Sequence, residues 1–204
     1  MKQGLIYTII FTFIVCFVFV FLLSFVNEAT AEKVAFNTNL EKEKTVLEAF
    51  GITYTDANDA HTKFQLVQSE KIQNNKIYHI TIDGVSLYAK QFAGSGLWGT
   101  IIGILAVDES LSKIIGISFL SQNETPGLGG RITEAWFKNQ LRGESIINGT
   151  VLVGRSQASD AGDSDKTNGK IDAITGATRT SDSINVILNK ELQNLKSILG
   201  GKNE

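Results

Sequence analysis

The sequence predicts one N-terminal transmembrane helix followed by a single extracytoplasmic α+β domain. Three observations carry this prediction. Six of the 12 phenylalanines lie in one apolar block near the N-terminus. Alternating apolar residues, which are typical of strands, occupy the middle of the chain. Helical apolar spacing occurs at both ends of this strand region, and such segregated strands and helices indicate the α+β class.

The apolar block covers residues 5–26, and only three of its 22 residues are not hydrophobic. A helix of that length rises about 33 Å, which matches a hydrocarbon core of about 30 Å. Ala29-Thr30-Ala31 has the form of a signal-peptide cleavage site, but the apolar part of a signal peptide is only about 7–15 residues long. We therefore expect a retained anchor. Because Lys2 precedes it, the domain is expected on the extracytoplasmic side of the membrane.

Three regions follow from this division of the chain. Residues 1–27 are expected to form the transmembrane anchor, 28–60 a juxtamembrane helix and linker, and 61–204 one globular domain. The net charge of −2, without a long basic run, argues against a nucleic-acid partner. Cys16 is the only cysteine and lies in the anchor, which excludes cysteine-bound zinc and iron–sulfur clusters from the domain. With only two histidines, no metal site is expected.

Local patterns predict the individual elements. Asn39 is expected to cap a helix over residues 40–50 that ends at Gly51. A hairpin is expected around Asp83-Gly84. The remaining predicted elements are strands over 97–107 and 114–120 joined by a turn at 108–110, a short helix over 132–141, a strand over 151–153, a surface loop over 156–170, and a helix from Thr180 or Ser181 to Gly200-Gly201.

The segment before the last helix is the first candidate site. A helix N-terminus offers free N–H groups and a favourable dipole to an anion. Gly176 and Ala177 leave little bulk beside the hydroxyl of Thr178, and Arg179 adds a positive charge. From the residues alone, this segment is either a phosphate site or an ordinary helix cap after a tight turn.

Two further segments are candidates. Residues 124–130 read Glu-Thr-Pro-Gly-Leu-Gly-Gly and contain the only proline of the chain. Proline fixes φ, while glycines let the backbone approach a flat ligand closely, although the same composition also suits a simple turn. Gly96-Leu97-Trp98 is the other segment, in which Trp98 either contacts a ligand or packs in the core.

These segments carry a resemblance to a known family. Residues 172–178 match the pattern D-x-x-[ST]-G-A-[TS], the flavinylation motif of the FMN-binding domain family. Residues 124–129 resemble the E-T-P-G-L-G loop of that family, and residues 96–98 resemble its G-L-W segment. Members include the NqrC protein of the sodium-translocating NADH:quinone reductase (Nqr) and the RnfG protein of the Rnf complex.

The resemblance implies the cofactor and its site. FMN is expected to be attached through a phosphoester to Thr178 by a dedicated flavin transferase, whose pattern requires Asp172. The other implied cofactor-binding residues are Thr175, Gly176, Ala177, Leu97, Trp98, Glu124, Thr125, Gly127, Leu128 and Gly129. Backbone N–H groups of the loop 127–130 are expected to stabilise a flavin anion, and Leu128 and Trp98 to exclude water. Neither a catalytic residue nor a metal ligand is expected.

The resemblance also implies a location, the inner membrane of a bacterium, and a function. The chain is expected to relay electrons as the flavoprotein subunit of an ion-translocating oxidoreductase complex of the Nqr or Rnf type, without complete activity alone. Its expected partners are the other subunits of the complex, the flavin transferase and the lipid bilayer. Two alternatives stay open: a free-standing, anchored and flavinylated extracytoplasmic electron carrier outside such a complex, and a membrane-tethered binding domain without redox chemistry.

Overall fold

The structure, a computed structural model, describes residues 2–154 and 162–200, and the side chains of residues 2 and 3 are outside this description. The chain divides into two compact units, Met1–Leu40 and Glu41–Glu204. In chain order, the elements are α1 Lys2–Phe50, α2 Ala57–Phe64, β1 Gln68–Ile72, β2 Asn75–Ile82, β3 Val85–Ser95, β4 Thr100–Asp108, β5 Ile114–Ser121, a 3₁₀ turn Gly129–Thr133, α3 Ala135–Leu141, β6 Leu152–Gly154, β7 Lys170–Asp172 and α4 Thr178–Gly200.

The first unit consists of α1 residues alone. Helix α1 is long and apolar enough to cross a membrane, and it is the one such helix within the described ranges. Its large apolar side chains between residues 5 and 26 are exposed, except that of Val15, as expected for contact with lipid. Asn39 lies inside α1 and does not begin a helix, so that prediction is wrong. The polar segment 27–40 contains neither glycine nor proline, and nothing in it ends the helix.

The second unit is built on a five-stranded antiparallel sheet in the order β1-β2-β3-β4-β5. Two-residue turns join its first three strands. Asp83 and Gly84 have φ of 51° and 78°, and Gln73 and Asn74 have φ of 47° and 69°. Positive φ at both central residues is the type I′ geometry, which matches the twist of the flanking strands. The predicted hairpin and the predicted turn between β4 and β5 are confirmed.

Hydrophobic layers cover both faces of the sheet. The last turns of α1, with Leu47 fully buried, pack together with α2 on one face. Helices α3 and α4 pack on the other face. Strand β4 alternates between the two layers, because Ile104 joins the first and Leu105 the second. This explains why β4 is an almost continuous apolar run, and the α+β fold with one N-terminal apolar helix is confirmed.

Helix α4 carries the candidate site at its N-terminus. Its predicted apolar stripe is buried, and it comprises Ile184, Ile187, Leu188, Leu192, Leu195, Ile198 and Leu199. A Cβ atom on Gly94 of β3 would lie 2.3 Å from Ile187 Cγ1, so glycine permits close packing of the helix on the sheet. Lys90 of β3 and Glu191 of α4 form a buried ion pair at 2.6 Å.

Several elements differ from the predictions. Strand β4 begins at Thr100 instead of residue 97, and α4 begins at Thr178. The short helix predicted over 132–141 is divided between the 3₁₀ turn and α3. Elements α2, β1 and β7 were not predicted. Of the predicted loop 156–170, residues 156–161 lie outside the described residues, as does Gly201 at the end of α4.

Candidate functional site

Three separate segments meet at a cleft of about 210 Å³ beside the N-terminus of α4. They are the loop between β3 and β4, the loop after β5, and the turn before α4. The residues that line the cleft are Leu97, Thr125, Leu128, Gly129, Gly176, Ala177, Thr178, Arg179 and Thr180. The structure thus brings together seven of the twelve residues that the sequence predicts as cofactor-binding.

The turn before α4 presents Thr178. The N–H of Ala177 donates to the carbonyl of Ile174 at 3.0 Å, and Gly176 has φ of 78°, a value that favours glycine. The hydroxyl of Ser181 fixes the turn, because it accepts from the N–H of Ile174 and donates to the carbonyl of Ala177, both at 3.0 Å. Thr178 is exposed as the first residue of α4, and among the described residues its hydroxyl has no hydrogen-bond partner.

The loop after β5 closes on itself. The N–H groups of Leu128 and Gly130 donate to the carbonyl of Thr125 at 3.1 and 3.0 Å. These two N–H groups are therefore engaged within the loop. The expectation that loop N–H groups stabilise a flavin anion now depends on those of Gly127 and Gly129. Gly127 has φ of 73°, and a Cβ atom there would contact nothing within 4 Å, so its backbone is open to a ligand.

Glu124 connects the three segments. One carboxylate oxygen accepts from the N–H groups of Leu97 and Trp98 at 2.8 and 3.0 Å, and the other accepts from the hydroxyl of Thr180. The residue is only 4% exposed and is not among those that line the cleft. Its carboxylate thus binds the protein from behind the cleft.

The remaining predicted residues, Trp98, Thr175 and Asp172, do not line the cleft. Trp98 is 69% exposed, so it is not a core residue, and Thr175 is exposed as well. Asp172 ends β7, where its N–H donates to the buried side chain of Gln140 at 2.8 Å. Burial, together with the nearby carboxylate of Asp163, raises the pKa of Asp172 above its ordinary value.

A second cleft, of about 460 Å³, adjoins the first and shares Leu97 and Arg179 with it. Its other lining residues are Ser95, Gly96, Asp182, Ser183 and Val186. Sequence reasoning missed this extension along α4. Residues 179, 182, 183 and 186 follow helical spacing opposite the buried stripe, and that spacing was the available signal.

These residues fit an FMN group. The two adjoining clefts reach the volume range of about 300–1,000 Å³ that is usual for ligand sites. Leu97 and Leu128 line the first cleft with exposed apolar side chains that suit a flat ring, and Arg179 is a cation next to Thr178 in the chain. Trp98 is exposed next to Leu97 but lines neither cleft. Thr178 would hold the group, and the segments around Leu97 and Leu128 would contact it.

A larger cleft of about 500 Å³ lies at the end of α1 and contains none of the predicted residues. Glu48 at this cleft accepts hydrogen bonds from Ser118, Tyr54 and Lys138. Burial alone would raise the pKa of Glu48, but these donors outweigh it and lower the pKa. Burial and then Glu48 raise the pKa of Tyr54 to about 12. The polar side chains at this cleft therefore form hydrogen bonds with one another. The smaller cleft differs, because the Thr178 hydroxyl there has no hydrogen-bond partner among the described residues.

Comparison with known proteins agrees with this class of site. Residues 96–193, which contain all three segments, match the family model of the FMN-binding domain. The predicted resemblance to the FMN-binding domain family is confirmed.

Two curated relatives are the same subunit of one kind of complex in two organisms. The NqrC protein of the Na⁺-translocating NADH-quinone reductase from Chlamydia muridarum is 30% identical over 142 residues, which cover 63% of this chain and 42% of that protein. NqrC from Neisseria meningitidis serogroup A is 35% identical over 91 residues, 45% of this chain and 34% of that protein. The chain thus spans less than half the length of these curated relatives.

Solved structures share the fold. NqrC from Parabacteroides distasonis aligns with a TM-score of 0.66 and 24% identity, covering 78% of this chain and 92% of that one. NqrC of Shewanella oneidensis aligns with a TM-score of 0.62 and 16% identity, covering 79% and 95%.

Proposed function

We propose that this chain is a membrane-anchored flavoprotein subunit that carries FMN on Thr178 through a phosphoester and relays electrons within a sodium-translocating NADH:quinone reductase complex. The observation that carries the proposal is the exposed Thr178 hydroxyl at the cleft where three separate motifs meet. The Thr178 motif lies about 50 residues or more from the other two motifs in the sequence. Their meeting at one cleft therefore supports the same FMN site that sequence similarity suggests.

The attachment residue suits its proposed task. A transferase that uses FAD would join the Thr178 oxygen to the FMN phosphorus, break the pyrophosphate bond of FAD and release AMP. It must therefore reach the hydroxyl, and Thr178 is exposed beside small residues. The phosphate would lie at the N-terminus of a 23-residue helix, where the helix dipole favours an anion. Thr175, the other hydroxyl of the motif, does not line the cleft. This difference predicts that attachment is specific to Thr178.

The chain itself contributes position and environment. FMN, when bound, supplies the electron-transfer chemistry. Leu97 and Leu128 would contact its ring and exclude water from one side, and Arg179 would balance phosphate charge. Most of Trp98 is open to solvent, so a ring beside it would remain accessible to a redox partner. A covalently held and accessible ring suits an electron carrier better than an enzyme that encloses its substrate.

The proposed partners and location follow from the anchor and the relatives. Helix α1 would hold the flavin domain near the other subunits of the complex, with the lipid bilayer around residues 5–26. The domain would face the extracytoplasmic side, and a flavin transferase would act there during maturation. The curated relatives are NqrC proteins, which favours the reductase over the Rnf complex.

The first experiment tests covalent flavin. The chain is co-expressed with a flavin transferase, boiled in detergent and separated by denaturing electrophoresis under ultraviolet light. The wild type and Thr178→Ser should give a fluorescent band, because both keep a hydroxyl, whereas the near-isosteric Thr178→Val should give none. A dark wild-type band beside a fluorescent known substrate of the same transferase would refute the proposal.

A second experiment separates the alternatives. Mild-detergent purification of a tagged chain should recover the other subunits of a reductase complex from its native membranes. Flavinylated chain without such subunits would indicate the free-standing carrier, and chain without flavin the tethered binding domain.

A third experiment tests the topology. A cysteine at the exposed position Gln193, in a Cys16→Ala background, should react with an impermeant maleimide in intact cells from which any outer membrane has been removed. Reaction only after lysis would place the domain in the cytoplasm.

A further inference from the structure

We infer that Glu124 is a positioning residue: its carboxylate holds the Leu97–Trp98 loop and the first turn of α4 in the arrangement that presents Thr178 for flavin attachment. This inference rests on the proposed function for its attachment readout. It assigns Glu124 a role different from the cofactor contact that the sequence predicts, since both carboxylate oxygens already accept hydrogen bonds from the protein.

The contacts of Glu124 join segments that are distant in the chain. Leu97 and Trp98 lie 27 and 26 residues before it, and Thr180 lies 56 residues after it. Few other hydrogen bonds hold the loop between β3 and β4. In one of them, the N–H of Gly96 donates to the carbonyl of Gly99 at 2.8 Å. Removing the carboxylate would leave two loop N–H groups and one buried hydroxyl without their acceptor.

Two glycines make room for this carboxylate. A Cβ atom on Gly96 would lie 2.5 Å from one Glu124 oxygen. A Cβ atom on Gly129 would lie 2.3 Å from the Thr180 hydroxyl and 2.9 Å from the other Glu124 oxygen. Residues from all three segments thus enclose the group, which explains why glycine occupies these positions whether or not they contact a cofactor.

Glutamine is the variant that separates geometry from charge. Its amide oxygen can accept from Leu97 and Trp98, while its amide nitrogen can donate to the Thr180 oxygen. Glu124→Gln should therefore keep the arrangement, and Glu124→Ala should lose it. Thr180→Val removes only the connection to α4 and leaves the loop contacts intact.

Asp108 offers a matched control at the opposite end of β4. One of its oxygens accepts from the N–H groups of Ser112 and Lys113, both at 2.8 Å. Asp108→Ala therefore removes the same kind of contact, a carboxylate that accepts from two loop N–H groups, far from the cleft.

The test measures two quantities on the full chain in detergent. Amide hydrogen exchange of Leu97 and Trp98 in the flavin-free protein should accelerate by about tenfold or more in Glu124→Ala and stay near the wild-type rate in Glu124→Gln and Thr180→Val. The initial rate of transferase-catalysed flavin attachment should fall by about tenfold in Glu124→Ala and in Thr180→Val, and Glu124→Gln should restore it to within about twofold. Asp108→Ala should change exchange at Ser112 and Lys113 only.

Each outcome decides the inference. Unchanged exchange at Leu97 and Trp98 in Glu124→Ala would overturn it, and so would a wild-type attachment rate in that variant. Failure of Glu124→Gln to restore attachment would also overturn it, because charge and not position would then be required. If the wild type accepted no flavin, the proposed function would fail, and the exchange data would still decide whether Glu124 orders the loop.

Discussion

The buried ion pair between Lys90 and Glu191 should stabilise the docking of α4 on the sheet, and breaking it should be costly. Its nitrogen and oxygen lie 2.6 Å apart, and the two side chains are only 11% and 6% exposed. Removing one partner leaves the other charge buried and unpaired, which costs about 3–5 kcal/mol. Lys90→Met and Glu191→Met should each lower the free energy of unfolding by about that amount.

The double variant gives the sharper result. With both charges replaced by apolar side chains of similar length, no charge remains buried, so the double variant should be more stable than either single variant. The two single losses should together exceed the double loss by several kcal/mol, on the order of the cost of one unpaired charge. The half-buried pair Asp59–Lys63 on α2, which is far more open to solvent, is the control, for which solvent screening predicts weaker coupling.

The assay is urea unfolding of the full chain in detergent, followed by tryptophan fluorescence. Trp136 packs edge-on against the buried ring of Phe137, so its emission reports the domain and not the micelle-bound part of α1. A double variant whose loss equals the sum of the two single losses would show that the charges do not stabilise one another. This result would contradict a stabilising ion pair. If the single variants lost Thr178 flavinylation and the double variant kept it, the ion pair would also be needed for the geometry of the candidate site.

Two further predictions concern stability. Leu47 is fully buried, so Leu47→Ala should cost about 2–5 kcal/mol in the same urea assay, whereas Val34→Ala on the exposed part of α1 should cost little; equal costs would contradict a core role for the last turns of α1. Burial raises the pKa of Glu144 above its ordinary value. Between the unfolded and the folded pKa, the folded protein therefore holds a proton that the unfolded chain has lost. The contribution of this protonated carboxyl to stability is present below the unfolded pKa and is lost as pH rises through the folded pKa. As pH rises from the ordinary pKa of a glutamate through the raised pKa of Glu144 in the folded protein, Glu144→Gln should therefore gain stability relative to the wild type, and a constant difference would contradict this.

The sequence predicts the parts of the fold that depend on local patterns. The Asp83-Gly84 turn and the apolar stripe of α4 are examples, because turn chemistry and helical spacing act within a few residues. Strand β1 escaped prediction because Gln68–Ile72 is a mostly exposed edge strand with little apolar alternation. Helix α2 escaped because it is only eight residues long and has one buried residue, Ala60.

The candidate site divides in the same way. The Thr178 segment is visible in the sequence because one continuous motif carries it. The role of Glu124 is not visible, since its partners are 26 to 56 residues away and only the fold brings them together. The engaged N–H groups of Leu128 and Gly130 were missed for a related reason: composition shows that a loop is rich in glycine, but not which of its N–H groups the loop itself uses.

Whether Thr178 bears FMN can be measured by mass spectrometry of one peptide. Trypsin should release residues 171–179, which follow Lys170, end at Arg179 and contain two hydroxyls, those of Thr175 and Thr178. After co-expression with a flavin transferase, this peptide should gain the mass of FMN less one water, and fragmentation should place the gain on Thr178. An unmodified peptide from cells in which the transferase modifies a known substrate would contradict flavin attachment to Thr178, as would a flavin located on Thr175.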